Sequence, residues 1–107
     1  MKDSESGQAA WFVVSDVSAI PSPALLVYRD RVAENLRRML AVAGGGERLR
    51  PHIKTCKMRE VVQMQLAAGI TKFKCATIAE AEMAADSGVC DLLLAYQPAA
   101  GKSCGPK

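Results

Sequence analysis

Aromatic residues are scarce in this chain, with one tryptophan, two tyrosines and two phenylalanines among 107 residues. None interleaves with the basic group Arg48, Arg50, Lys54, Lys57 and Arg59, so stacking on nucleic-acid bases is not expected and no nucleic-acid partner is assigned. Histidine is scarcer still, at one, and the four cysteines at 56, 75, 90 and 104 form no C-x-x-C pair. A zinc site built from this chain alone would need mostly thiolates, and no metal ligand is assigned. No apolar run approaches the length that spans a bilayer, so no membrane partner is expected. The polar stretch from Met1 to Gly7 lacks the apolar centre of a signal peptide, which makes a cytoplasmic location the expectation. Reduced cysteines follow, with Cys75 and Cys90 read as small apolar packing residues.

What is present is a folding composition. Half the residues are hydrophobic and the net charge is +3, enough apolar content for one modest core and too little charge to demand an anionic partner. Residues 1–10 read as a frayed start, and Trp11 to Val14 as a short extended segment. Pro21 and Pro23 impose extended or turn geometry. Ala24 to Tyr28 is a continuous apolar run that suits a buried strand. Val32, Leu36, Met39, Leu40 and Ala43 then recur at helical spacing, with Asp30 as the expected N-cap and Gly44 to Gly46 as the stop.

Arg48 to Lys54 predicts the next strand, irregular at Pro51. Met58 to Ala68 predicts a helix closed by Gly69, and Lys72 to Thr77 alternates as a strand. Thr77-Ile78-Ala79-Glu80 is a capping-box pattern opening a helix from Glu80 to Ser87. Asp91 to Tyr96 is a fully apolar strand of the parallel-sheet kind. The order strand, helix, strand, helix, strand, helix, strand predicts an α/β chain with a parallel sheet and right-handed crossovers.

The stretch Arg50-Pro51-His52-Ile53-Lys54-Thr55-Cys56-Lys57 sits where a strand runs out and a helix begins, the seam where α/β proteins meet their ligands. A partly desolvated Lys54 could form a Schiff base with a carbonyl; the competing reading is a solvated lysine beside Lys57 and Arg59. Strand alternation would send His52 and Lys54 to one face, with His52 in support of the lysine or structural. Cys56 has no identifiable acid–base partner. Gly101-Lys102-Ser103 fails as a phosphate loop because Tyr96 stands where the Walker pattern needs glycine.

Several stretches together resemble one family. Ile20-Pro21-Ser22-Pro23-Ala24-Leu25-Leu26-Val27, Arg50-Pro51-His52-Ile53-Lys54-Thr55, Gln65-Leu66-Ala67-Ala68-Gly69, Ala76-Thr77-Ile78-Ala79-Glu80-Ala81-Glu82 and Asp91-Leu92-Leu93-Leu94-Ala95-Tyr96 occur in the order seen in the D-threonine aldolase and D-serine dehydratase-like enzymes. Those are fold-type-III enzymes with an alanine-racemase-type N-terminal barrel. The resemblance covers residues 11 to 96 and centres on P-H-x-K-T.

It implies a (β/α)8 barrel, here partial, with three to four parallel strands alternating with three helices. It also implies pyridoxal 5'-phosphate carried by Lys54 as a Schiff base, with His52, Arg50 and Thr77 as further cofactor-binding candidates at strand ends. The substrate would be a small D-amino acid, cleaved at Cα–Cβ by an aldolase or deprotonated at Cα by a dehydratase. Family members also use a divalent metal, whose ligands lie downstream of the matched motifs. A homodimer is expected of a complete chain.

The organisation expected is an N-terminal extended segment (1–20), the N-terminal part of a barrel (21–96) and an irregular tail (97–107) that departs from the family pattern, as a truncated, frameshifted or partial chain would. Cys56 stands where the family commonly has histidine, and Gln97 where it commonly has proline. The leading expectation is a D-threonine aldolase-like lyase, inactive as this chain alone. The alternatives are a D-serine dehydratase, a racemase-like enzyme and a non-catalytic pyridoxal-phosphate-binding homeostasis module.

Overall fold

The computed structural model describes residues 10–97. The expected frayed start and irregular tail, the Gly101–Ser103 stretch and Cys104 therefore lie outside the described residues, apart from Ala10 and Gln97.

Three α-helices and two of the expected three to four parallel strands are formed among the described residues, α1 Arg29–Ala43, α2 Arg59–Ala67, β1 Lys72–Cys75, α3 Ile78–Asp86 and β2 Asp91–Leu94, and the expected alternation is kept from α2 onward. Short connections between parallel strands leave room only for a crossover helix, and α3 is that crossover between β1 and β2. The register pairs Lys72 with Asp91, Phe73 with Leu92, Lys74 with Leu93 and Cys75 with Leu94.

A third segment pairs with the other edge of β1, where His52 bridges Lys74 in parallel. The Ile53 N–H donates to the Lys74 carbonyl, and the Lys74 N–H donates to the Pro51 carbonyl, both at 2.9 Å. The strand expected over Arg48 to Lys54 is thus reduced to one bridge. On the Arg50 side, the next rung would need an N–H from Pro51, which proline lacks.

The core lies between this sheet and the helices: Leu36, Ile53, Val62, Ile70, Phe73, Cys75, Ala84 and Val89 are buried. Alternation along β1 puts Phe73 and Cys75 into it and leaves Lys72 and Lys74 half-buried on the opposite face. The same alternation on β2 packs Leu92 and Leu94 against the core and exposes Asp91 and Leu93.

Three expectations are corrected. Ala24 to Tyr28 is not a strand: Leu25 and Leu26 are 73% and 45% exposed, because no neighbouring strand pairs with the segment in the described residues. Asp30 is not the cap of α1; that position is Tyr28, without a side-chain bond, and Asp30 sits inside the first turn, where its charge still suits the helix dipole. Cys90 is exposed in the link into β2, whereas Cys75 is buried as expected.

Glycines close the helices as the pattern predicts. Gly44, at φ 89°, donates to the Leu40 carbonyl at 2.9 Å. Gly46 has a different reason to be glycine: a Cβ there would run into the carbonyl of Gly69 and the peptide joining it to Ile70. Gly46→Ala must push two loop backbones apart, and should lower unfolding stability by roughly 1–3 kcal/mol, read as a shift of the urea midpoint. The uncovered sheet face and exposed Leu25, Leu26 and Leu93 predict self-association that rises with concentration in sedimentation velocity.

Candidate active site

Parallel strands give the sheet two distinct ends. Extending the register from His52–Lys74 sets Arg50 beside Lys72 and Asp91 at the strand starts, and Lys54 beside Ala76 and Ala95 at the strand ends.

At the starts, the Arg50 Nη1 lies 2.8 Å from Asp91 Oδ1 and donates to the Phe73 carbonyl at 2.9 Å. The Arg50 side chain is about two-thirds buried and ties its own segment to a carbonyl on β1 and a carboxylate on β2. Arg50 and Lys54, neighbours in the sequence pattern, therefore sit at opposite ends.

At the ends, the chain leaves the sheet in a tight turn over Lys54, Thr55 and Cys56. The Lys57 N–H closes it onto the Ile53 carbonyl at 2.9 Å, and the Cys56 thiol points at the same oxygen at 3.7 Å. Lys57 takes a left-handed conformation, φ 45°, an uncommon state for a residue with a Cβ. Lys54 is exposed at the head of this turn.

The turn breaks the strand alternation that would have set His52 and Lys54 side by side. The His52 ring turns back instead, and its Nδ1 accepts the Lys54 N–H at 3.3 Å. With Nδ1 as acceptor, a neutral His52 carries its proton on Nε2.

Thr77 caps α3, its hydroxyl oxygen accepting the Glu80 N–H at 3.1 Å. The reciprocal arm of the box is displaced by one residue, since Glu80 Oε1 accepts the Ala76 N–H at 2.7 Å. The second oxygen, Oε2, faces the Lys57 ammonium at 3.6 Å. Glu80 is only 5% exposed. The Ala76 N–H, helped by Lys57, holds its carboxyl below the ordinary glutamate range, against the upward push of burial. Burial, with Glu80 adding to it, pushes the Cys75 thiol up, which suits a packing role and not a nucleophile.

Sequence reasoning placed Lys54, His52, Arg50 and Thr77 together at strand ends; the structure brings Lys54, His52 and Thr77 to one end and sets Arg50 apart at the other, engaged with Phe73 and Asp91. It missed Glu80 and Lys57 as partners of that end, although the T-x-x-E pattern pointed at Glu80. Nothing local signalled the Arg50–Asp91 pair, which spans 41 residues.

Parallel strands joined by a crossover helix are consistent with part of a (β/α)8 barrel, in which sites are built at the C-terminal ends of the strands. Residues 27–104 match the family described as alanine racemase, N-terminal domain, and the chain belongs to that pyridoxal-phosphate-dependent, fold-type-III family, whose fold is a TIM barrel. A curated D-threo-3-hydroxyaspartate dehydratase from Delftia sp. (strain HT23) is 37% identical over 81 residues, covering 75% of this chain and 21% of its own length. The chain thus spans about a fifth of that relative. No solved structure matches.

The residues present fit the attachment point of pyridoxal phosphate: a reachable primary amine on a turn held at one end by the His52 ring and at the other by the Ile53 carbonyl. They do not fit the divalent metal, since no group of three or more potential ligands is placed to hold one among the described residues. No helix there is long and apolar enough to cross a membrane.

Two outcomes follow. Glu80 contributes stability that is fully present above the ordinary glutamate pKa of about 4.3. It is lost as pH falls from there through the lowered native value, so acid unfolding followed by circular dichroism should be flatter for Glu80→Gln. Arg50→Ala removes both the guanidinium bond to the Phe73 carbonyl and the ion pair with Asp91, and should cost about 1–3 kcal/mol in urea unfolding.

Proposed function

We propose that the chain carries the cofactor lysine of a pyridoxal-phosphate-dependent lyase for small hydroxylated D-amino acids, and that Lys54 is that lysine. The observation that carries this reading is the place of Lys54 within P-H-x-K-T, exposed at the C-terminal end of a parallel sheet on a turn tied to Ile53 and His52. Pyridoxal phosphate, when bound, supplies an electron sink for a bond broken at the substrate α-carbon.

The chain's own residues have narrower tasks. Lys54 Nζ is the amine that would hold pyridoxal phosphate, and the bond from its backbone N–H to His52 fixes where the side chain starts. The Thr77 hydroxyl, whose oxygen is already an acceptor, keeps a proton that it would donate to the bound cofactor. His52 keeps the Nε2 proton for the same purpose. Arg50, engaged by Phe73 and Asp91 at the far end, fixes the strand on which Lys54 is mounted. The open face leaves water in contact with the lysine, so turnover is assigned to the longer architecture of which this sequence matches a fifth in its relative.

The relative's dehydration of a 3-hydroxy amino acid favours loss of water over the aldol cleavage that the motif set suggests for D-threonine. Both reactions need the same lysine.

The test is covalent trapping. The full chain is incubated with pyridoxal phosphate, reduced with borohydride, digested and mapped by mass spectrometry. Label concentrated on Lys54, and absent from that peptide in Lys54→Arg, is the expected result. Label spread evenly over Lys54, Lys57, Lys72, Lys74 and Lys102 would overturn the assignment.

A further inference from the structure

We propose that Glu80 is the positioning residue of the lysine turn: it takes the backbone N–H that would otherwise continue the sheet past Ile53, and thereby frees Lys54 from β1 while anchoring the turn through Lys57. This deepens the reading of Lys54 above and rests on it for the cofactor, though not for the anchoring.

The hydrogen bonds of the parallel pair reveal the device. Beyond the His52–Lys74 bridge, the next rung would run from the Ala76 N–H to the Ile53 carbonyl. Neither group is available. The Ala76 N–H is bound to Glu80 Oε1 at 2.7 Å, and the Ile53 carbonyl accepts the Lys57 N–H at 2.9 Å. β1 and β2 continue past the same level, where the Ala95 N–H reaches the Cys75 carbonyl at 2.7 Å. The sheet thus splits on one side of β1 only, at the level of Lys54.

The split would leave Ala76 with an unsatisfied half-buried N–H without the carboxylate, and a carboxylate is the better acceptor there because its hydrogen bond is charge-assisted. Burial of Glu80 raises the need for a cation. Lys57 supplies it at 3.6 Å, and its left-handed backbone delivers the side chain back toward α3. One side chain therefore ties the end of β1, the start of α3 and the far end of the lysine turn. Because Thr77 already caps α3 through the Glu80 N–H, the Glu80 carboxylate is free of capping its own helix.

The experiment uses the full chain without cofactor first. Amide hydrogen exchange is measured by NMR for wild type, Glu80→Gln, Lys57→Met and Lys57→Arg, with Val62 and Ala84 as core controls. The carboxamide that Glu80→Gln introduces can still bond the Ala76 N–H but carries no charge. In Glu80→Gln and Lys57→Met the backbone amide at position 57 should exchange about tenfold faster, as expected for loss of one charge-assisted contact, with the control amides unchanged and Lys57→Arg near wild type. The share of borohydride-fixed pyridoxal phosphate on Lys54 should fall in the same two variants.

Unchanged exchange at position 57 in both, or acceleration shared equally by Ala84, would overturn the positioning role. The two readings fail separately: a wild-type chain that shows no preference for Lys54 removes the cofactor assignment, while the exchange data still decide the anchoring. The Lys57 side chain is 62% exposed, so its variants report even where a substitution at buried Glu80 prevents folding.

Discussion

The parallel pairing of β1 is the constraint on which the rest of the structure depends. Phe73 and Cys75 on one face of this strand form the centre of the core, and its backbone is the only one bonded on both edges among the described residues. Parallel pairing demands a crossover, so α3 must lie over the sheet, and that placement buries Ala84 and Glu80. It also demands that all strand ends point the same way. Lys54, Thr77 and Ala95 meet at one end for that reason alone.

Hydrophobic burial favours this assembly but is modest in extent. The buried apolar set is drawn almost entirely from α2, α3, β1 and the segments beside them, with Leu36 the one buried residue that α1 contributes. The polar ties at the two sheet ends are correspondingly important for definition. Arg50 reaches a carbonyl on β1 and a carboxylate on β2, and such contacts fix relative strand position where a small core would tolerate sliding. Gly46 does the same between two loops by allowing close approach of backbones.

Helices and the last two strands were legible in the sequence because their signals are local. The apolar spacing of α1, the glycines after each helix and the Thr77 cap all act within a few residues. Ala24 to Tyr28 misled for the converse reason: five apolar residues make a strand only when another strand supplies bonds, and that partner is a non-local fact. Arg48 to Lys54 was half legible, since Pro51 announced an irregularity without showing that a single rung would survive. The position of Lys54 at the end of its segment was legible through its motif. The acid behind it, Glu80, was hidden inside a pattern that already had a sufficient local explanation as a helix cap. Cys90 was read by residue type, and type does not say which way a link residue faces.

The two polar ties sit at opposite ends of the same short strand, about four residues apart, or roughly 13 Å. At that separation, with no shared partner, energetic effects of changes at Arg50–Asp91 and at Lys57–Glu80 should simply add. Selection acting on the lysine end can then try new side chains without disturbing what registers the strands, and losses there can be offset from the other end. For a sheet only four residues deep, that separation makes the mounting of the lysine an evolvable part in its own right.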